Sequence, residues 1–169
     1  ERLFSPFAIS PGVVLPVGEY RFTRWRAQAM SASKRKLQGS LNFSFGNYWS
    51  GQAETLQAWL PYKIPPRFSI RLFTDQTFAR LPQGNFIARI LSSRVDFAAS
   101  PFLSFSSLIQ YDNRSRDLGW QSRLRWTLEP GNDLFFVFSQ GWIQETTSGR
   151  RFNVQDSKAS AKLQYTVSL

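Results

Sequence analysis

The feature that most constrains this chain is an alternation of apolar and polar residues that recurs along most of its length. From Leu118 to Leu128, leucine, tryptophan and one serine alternate with glycine, glutamine, arginine and threonine. The segments Leu37–Phe45 and Ala159–Leu169 alternate in the same way. Because successive side chains of a β-strand point to opposite faces, this period of two predicts strands with one apolar and one polar face. No segment shows a helical period, so an all-β fold is predicted.

The predicted strands are long. Nine of them are predicted, near residues 19–30, 36–47, 52–61, 67–77, 86–97, 102–112, 118–128, 133–144 and 157–169. They have 10–13 residues, whereas a strand in an ordinary globular sheet has about 5–6. A strand that crosses a bilayer at a tilt of about 45° needs about 9–11 residues. The lengths therefore favour an antiparallel, up-and-down transmembrane β-barrel over a β-sandwich.

The connections between the predicted strands alternate in length. The compact ones are Ser31–Arg35, Pro61–Pro66, Ala98–Pro101 and Glu129–Asn132. The longer and more polar ones are Gly46–Gly51, Phe78–Gly84, Asn113–Asp117 and Glu145–Asp156. Short turns on one side and long loops on the other are typical of outer-membrane barrels, with the turns in the periplasm. This pattern predicts a Gram-negative outer-membrane location with a periplasmic C-terminus.

The strand count raises a question of parity, because bacterial single-chain barrels have even numbers of strands. Leu3–Ile9 could supply a tenth strand, with Ser10–Gly18 as an outer loop. Alternatively, residues 1–169 form the C-terminal part of a larger barrel. The second interpretation is favoured, because the chain starts without the basic and apolar regions of a signal peptide. In either case, residues 1–169 are expected to belong to one domain.

Aromatic residues are concentrated near the predicted strand ends, as expected for the two aromatic girdles of a membrane barrel. The outer girdle is predicted to contain Trp49, Tyr111, Trp120 and Trp142, and the inner one Phe68, Phe97 and Trp126. Within 133–144, the lipid-facing set is predicted to be Leu134, Phe136, Phe138 and Trp142. The basic residues of the outer loops are Arg114, Arg116, Arg150 and Arg151. These four could contact the phosphates of lipopolysaccharide or remain solvated.

The charged residues of the polar faces are assigned to the barrel lumen. They are Arg71, Arg94, Asp96, Arg123, Arg125, Lys158 and Lys162, joined by Asp75 and Asp112. Two interpretations stay open: ion pairs that brace the lumen, or a basic pore or groove for anionic or sugar-like ligands. Arg89 is an exception, since it lies on an apolar face, where it can snorkel to the membrane interface.

The composition excludes several kinds of chemistry. The chain has neither cysteine nor histidine, which rules out disulfides, a Ser-His-Asp triad and zinc sites of the usual ligands. The 21 basic and 11 acidic residues give a formal charge of +10, but the basic residues are spread over many strands and match no nucleic-acid recognition motif. No two carboxylates are placed as an acid/base pair. We therefore expect no enzymatic activity, no cofactor and no nucleic-acid partner.

Two resemblances add to this interpretation. The last strand resembles the C-terminal insertion signal of outer-membrane proteins, with Lys162 followed by Val167 and Leu169, although Gln164 replaces the usual glycine. This resemblance implies the barrel assembly machinery as a partner. Four stretches, Gly18–Phe22, Ile109–Asn113, Ser122–Trp126 and Glu129–Phe135, are similar to the C-terminal barrel of an uncharacterised family of unknown function. In that family the barrel follows a signal peptide and a xylanase-type carbohydrate-binding domain, which implies a link to surface glycans.

The resulting hypothesis is an outer-membrane β-barrel that acts as a surface anchor, pore or receptor in contact with lipid and lipopolysaccharide. The alternative is a soluble β-sandwich or small barrel that binds carbohydrate or anionic ligands. The two hypotheses differ in one physical respect. A membrane barrel exposes its apolar side chains to hydrocarbon, whereas a soluble protein packs them against one another.

Overall fold

The computed structural model describes residues 1–32, 35–145 and 151–166. Four short strands come first: β1 (Arg2–Leu3), β2 (Phe7–Ser10), β3 (Val13–Leu15) and β4 (Gly18–Glu19). Nine longer strands follow: β5 (Arg24–Met30), β6 (Ser40–Tyr48), β7 (Gly51–Ile64), β8 (Phe68–Leu81), β9 (Gly84–Ser100), β10 (Leu103–Asp112), β11 (Asp117–Glu129), β12 (Asn132–Gln144) and β13 (Phe152–Gln164). Over these residues, no helix is long and apolar enough to span a membrane.

The nine longer strands form one antiparallel sheet in which every strand pairs with its neighbours in sequence, in the order β5 to β13. The predicted all-β, up-and-down antiparallel arrangement is therefore confirmed. Each of the nine predicted segments overlaps one of these strands, and the ends differ by up to five residues. The alternation could locate them because it depends only on the local direction of side chains.

The pairing register separates the side chains of this sheet into two faces, because directly paired residues of neighbouring strands point to the same side. The apolar face contains the cross-strand row Leu72–Ser93–Ile109 and the pair Leu124–Phe136. The polar face contains the remaining residues of each strand, among them the row Asp96–Ser106–Arg123. The predicted lipid-facing set of β12, which includes Phe136, lies on the apolar face.

The sheet is not closed. Among the described residues, β5 pairs only with β6, and β13 pairs only with β12. The two edge strands run in the same direction, since an even number of antiparallel steps separates them. A seam between them would be parallel, unlike the antiparallel pairing of bacterial barrels. A closed barrel is therefore not what the described residues form.

The turns correct part of the predicted loop pattern. The upper end of the sheet, as we name it, carries the connections 49–50, 82–83, 113–116 and 145–151, and the lower end carries 31–39, 65–67, 101–102 and 130–131. The predicted long loops Gly46–Gly51 and Phe78–Gly84 are wrong, because β6 to β9 extend into them and leave two-residue turns. The connections at the upper end are thus not consistently longer than those at the lower end.

Residues 1–22 fold as a small unit that we call the N-terminal cap. Its strands pair as β1–β4 and β2–β3 and do not join the nine-stranded sheet. The prediction of a tenth sheet strand at Leu3–Ile9 is therefore wrong. The cap packs on the upper end of the polar face, where Ile9, Val13 and Leu15 are buried together with Leu81 of β8. This apolar cluster gives residues 7–15 a tertiary partner that alternation alone did not reveal.

Candidate functional site

The seven residues predicted to line a lumen lie on the polar face of the sheet. They are distributed over β8, β9, β11 and β13: Arg71, Arg94, Asp96, Arg123, Arg125, Lys158 and Lys162. Their register shows the common side, since Arg71 pairs with Arg94, and Phe135 pairs with both Arg125 and Lys162. The site they form is an extended patch on the sheet.

One cluster of ion-paired side chains centres on Asp96 of β9. Its carboxylate accepts hydrogen bonds from Arg71 at 2.7 Å and from Arg94 at 3.1 Å, and from the Ser69 hydroxyl at 3.4 Å. Arg71 and Arg94 are direct cross-strand partners, a position in which like charges repel. The shared carboxylate offsets that repulsion, and the cluster keeps one net positive charge.

A second cluster centres on Asp133 of β12, which was not among the predicted site residues. Both carboxylate oxygens accept hydrogen bonds from Arg125, at 2.8 and 3.1 Å, and one also accepts from the Thr127 hydroxyl at 2.6 Å. The carboxylate is largely buried. Asp133 reaches these partners because the regular β11–β12 register places it opposite Thr127, on the same face as Arg125. The alternation pattern contains no information about that pairing register.

Arg123 of β11 makes a different kind of contact. Its guanidinium carbon lies 4.4 Å from the centre of the Phe135 ring, within the range of a cation–π interaction. Phe135 is buried although it lies on the polar face. Its cross-strand partner on β13 is Lys162, while Lys158 forms an exposed ion pair of 3.6 Å with Asp156.

A network of neutral and charged hydrogen bonds crosses the other half of the polar face. Arg24 of β5 donates to Ser44 at 3.2 Å and, across β6, to Thr55 at 2.9 Å. The Thr55 hydroxyl also lies 3.1 Å from that of Thr77. Arg24 was missed as a site residue because its contact with Thr55, across β6, depends on how the strands pair. The network ties four strands together.

Six of the predicted girdle residues lie on the apolar face. They are Phe68, Phe97, Tyr111, Trp120, Trp126 and Trp142. Two of them satisfy their polar atoms locally, since the Trp120 indole donates to Ser107 at 3.0 Å and the Tyr111 hydroxyl donates to Gln144 at 2.8 Å. Trp126, near the lower end, is exposed. Their rings therefore lie on the same side of the sheet as its leucines and phenylalanines.

Trp49 lies elsewhere. It occupies the two-residue turn between β6 and β7 with a φ of 52°, and its ring contacts the N-terminal cap. The ring centres of Tyr20, Phe22 and Phe7 are 5.3, 5.4 and 6.2 Å away. Trp49 thus belongs to an aromatic cluster that attaches the cap, in contrast to its predicted position in a membrane girdle.

The basic residues predicted for the outer loops also differ from one another. Arg114 donates a hydrogen bond to the Ile9 carbonyl oxygen of the cap and lies 5.9 Å from the Phe86 ring centre. Arg116 adopts a φ of 61° in the same turn. Arg151 is exposed and its carbonyl oxygen accepts from the backbone N–H of Glu145. Arg150 lies outside the described residues, as do Val167 and Leu169 of the predicted insertion signal.

Arg89, on the apolar face, donates from Nε to the Gln76 side chain at 3.1 Å. In the part of the chain that the structure describes, no group of three or more acidic residues could hold a metal ion.

Comparisons with protein-family models, with curated proteins and with solved structures find no match for this chain.

Proposed function

We propose that this chain is part of the wall of an outer-membrane β-barrel and acts as a surface anchor, pore or receptor. In this proposal, the apolar face contacts lipid and the polar face lines an aqueous lumen. The observation that carries it is the exposure of large apolar side chains along the apolar face. Leu72, Leu91 and Ile109, near the middle of three adjacent strands, keep 41–47% of their surface exposed.

Exposure on this scale is costly in water. Burial of a large aliphatic or aromatic side chain contributes about 1.5–3 kcal/mol, and a soluble monomer rarely leaves such side chains in one contiguous patch larger than a few hundred Å². The exposed apolar face continues from Leu41 and Phe45 on β6 to Leu163 on β13. Hydrocarbon would remove that whole face from water without any second protein layer.

Strand length supports the same proposal. From β7 to β9 the strands have 14, 14 and 17 residues, and β11, β12 and β13 have 13 each. A tilted strand needs about 9–11 residues to cross the hydrocarbon core, so these strands extend into the headgroup region at both ends. Tyr111, Trp120, Trp126 and Trp142 are then available as interfacial residues.

The polar face supports the aqueous lumen. Backbone groups within a membrane must be satisfied by the sheet ladder, and charged side chains must pair or meet water. The Asp96 and Asp133 clusters pair their carboxylates with arginines on this face. A link to surface glycans, through a carbohydrate-binding domain, is a further part of the proposal and is supported by the family resemblance of the sequence.

The test uses the absence of cysteine from the native sequence. Single-cysteine variants are made at neighbouring positions on opposite faces: Leu91→Cys and Ser92→Cys on β9, and Ile109→Cys and Gln110→Cys on β10. The full chain is inserted into lipid vesicles and labelled with a charged, membrane-impermeant maleimide. We expect Ser92→Cys and Gln110→Cys to react, and the other two to react at least about tenfold more slowly, because hydrocarbon excludes the reagent.

The matched control is the same set of variants unfolded in urea, where all four should react at similar rates. Similar labelling of both faces in lipid would contradict the proposal. So would recovery of the native chain from an aqueous extract without detergent, which is the expected result for the soluble alternative. Cysteines at Ser115 in the upper end and Arg67 in the lower end test orientation in intact cells. The proposed periplasmic C-terminus predicts labelling of the residue 115 variant alone.

A further inference from the structure

Two adjoining grooves lie on the lower half of the polar face, with volumes of about 500 and 460 Å³. They share Arg94, Ser106 and Arg123, so they form one continuous depression. Its basic lining residues are Lys63, Arg67, Arg94, Arg123, Arg125 and Lys162. Asp96 is the one acidic residue among the lining residues described. The depression, which we call the Arg123 groove, therefore has an excess of five formal positive charges.

Part of this charge is already neutralised within the protein. Asp96 accepts hydrogen bonds from Arg71 and Arg94, and Arg125 is held by Asp133 in a bidentate pair. Arg94 lines the groove and uses only its Nε in this contact, so its two terminal nitrogens remain available as donors. These ion pairs fix the positions of the guanidinium groups. The Asp96 cluster still has one net positive charge, because one carboxylate is shared by two arginines.

Arg123 and Lys162 are different, since neither has a carboxylate within ion-pair distance among the described residues. The Arg123 guanidinium carbon lies 4.4 Å from the centre of the Phe135 ring, a cation–π contact that positions the group, and its N–H groups donate to none of the described residues. Lys162 is the cross-strand partner of that phenylalanine. Ser106 pairs directly with Arg123 and with Asp96, and its hydroxyl makes no hydrogen bond to the described residues.

We propose that the Arg123 groove binds the oxyanion group, phosphate or carboxylate, of a small solute. Arg123 supplies a planar fork of donors that matches an oxyanion in two parallel hydrogen bonds. Arg94 and Lys162 add positive charge from the two neighbouring directions, and the Ser106 hydroxyl adds a neutral donor. This proposal names a class of ligand for the lumen of the proposed barrel. It rests on the proposed barrel function only for the route by which the solute reaches the groove.

A neutral sugar fits the groove less well. Stacking of a sugar ring needs an accessible aromatic face, and Phe135 keeps only 8% of its surface exposed under Arg123. The groove also lacks the surplus of carboxylate acceptors that sugar hydroxyls would use, because the Asp96 carboxylate is occupied by two arginines. Charge and geometry therefore both favour an anionic group over an uncharged glycan.

The test measures binding of inorganic phosphate to the full chain in detergent micelles by equilibrium dialysis at constant ionic strength. The wild-type protein should bind phosphate saturably. Arg123→Gln should weaken binding by about tenfold or more, because it removes a charged, bidentate donor. Arg123→Lys, which keeps the charge but loses the fork, should weaken it by about two- to fivefold. The control is Arg26→Gln, an exposed arginine of β5 that does not line the groove.

The outcomes separate the competing explanations. Competition by glucuronate and none by glucose identifies the oxyanion as the recognised group. The proposal is overturned by the absence of saturable binding below about 10 mM phosphate, or by equal losses in Arg123→Gln and Arg26→Gln, which would indicate a general charge effect. Because the assay runs in micelles, a failure here leaves the cysteine-labelling result unchanged, so the two proposals can fail separately.

Discussion

Leu15 holds the N-terminal cap on the sheet, and its replacement by alanine should release the cap while the sheet remains folded. The side chain is completely buried, and its neighbours in the cluster are Ile9, Val13 and Leu81. The cap has few other attachments. They include the hydrogen bond from Arg114 to the Ile9 carbonyl oxygen and the aromatic contacts of Trp49. Loss of packing at residue 15 therefore acts mainly on this local equilibrium.

The expected magnitude follows from the volume removed. Leu15→Ala deletes three carbon atoms, each worth about 0.8 kcal/mol in transfer from water, or about 2.4 kcal/mol together. The cavity that remains adds to this cost, and Leu→Ala changes at fully buried sites span about 2–5 kcal/mol. We take about 3 kcal/mol. Because about 1.4 kcal/mol corresponds to a tenfold change in an equilibrium constant, the detached cap becomes about a hundredfold more populated.

Hydrogen–deuterium exchange measures this opening directly. The backbone N–H of Tyr20 donates to the Glu1 carbonyl oxygen at 2.7 Å, and β2 and β3 form an antiparallel backbone-paired hairpin, so the N–H groups of both regions report on the cap. Peptides from β9 serve as the internal reference for the sheet. In Leu15→Ala, exchange in the cap should accelerate by about a hundredfold, whereas exchange in β9 should stay within about twofold.

The matched control is Val14→Ala, one residue away in the same strand, whose side chain is 49% exposed. It removes apolar volume from the surface of the cap and should change exchange by less than about threefold. Equal acceleration in Leu15→Ala and Val14→Ala would refute the reasoning, since it would show that the buried cluster does not hold the cap. Faster exchange throughout β9 would refute the separation of cap and sheet.

Two further predictions concern the sheet and are measured by the urea midpoint of the chain refolded in lipid vesicles. Gly51→Ala should lower the unfolding free energy by about 1–3 kcal/mol, because its new Cβ would clash with the Arg80 carbonyl oxygen. Gly119→Ala, with nothing within 4 Å, should be close to neutral, and equal effects would contradict this account. Arg125→Gln should cost about 1–3 kcal/mol because it leaves the 10%-exposed carboxylate of Asp133 without its cation. Asp133→Asn should cost less, since the guanidinium left behind is 51% exposed, and the reverse order would contradict this argument from burial.

The strands and their two faces could be predicted because each depends on a local property. A side chain's direction in a strand follows from its position parity, so Arg123 and Arg125 could be placed on one face and Trp120 and Trp126 on the other before any pairing was known. The predicted loops Gly46–Gly51 and Phe78–Gly84 were wrong because turn residues such as glycine also occur where long strands end in tight turns.

The site was only partly predictable. The sequence indicated a row of cations, but which of them keep their charge available depends on the register between strands. The β11–β12 register places Asp133 beside Arg125, whereas Arg123 lies near the Phe135 ring and has no carboxylate within ion-pair distance among the described residues. A shift of one residue in the pairing register would move every side chain of a strand to the opposite face of the sheet. The register itself is set by contacts between strands.

The alternation along the chain thus determined by itself that the protein is a long-stranded sheet with one apolar and one polar face, since that information repeats every two residues. Only the tertiary structure decided that the sheet of the described residues is open, that residues 1–22 fold back onto its upper end, and that Arg123 lacks a carboxylate partner. Those features join residues far apart in sequence, such as Leu15 with Leu81. The stabilising energy of these contacts depends on tertiary packing between distant segments, and the local alternation of residues does not encode which segments pack together.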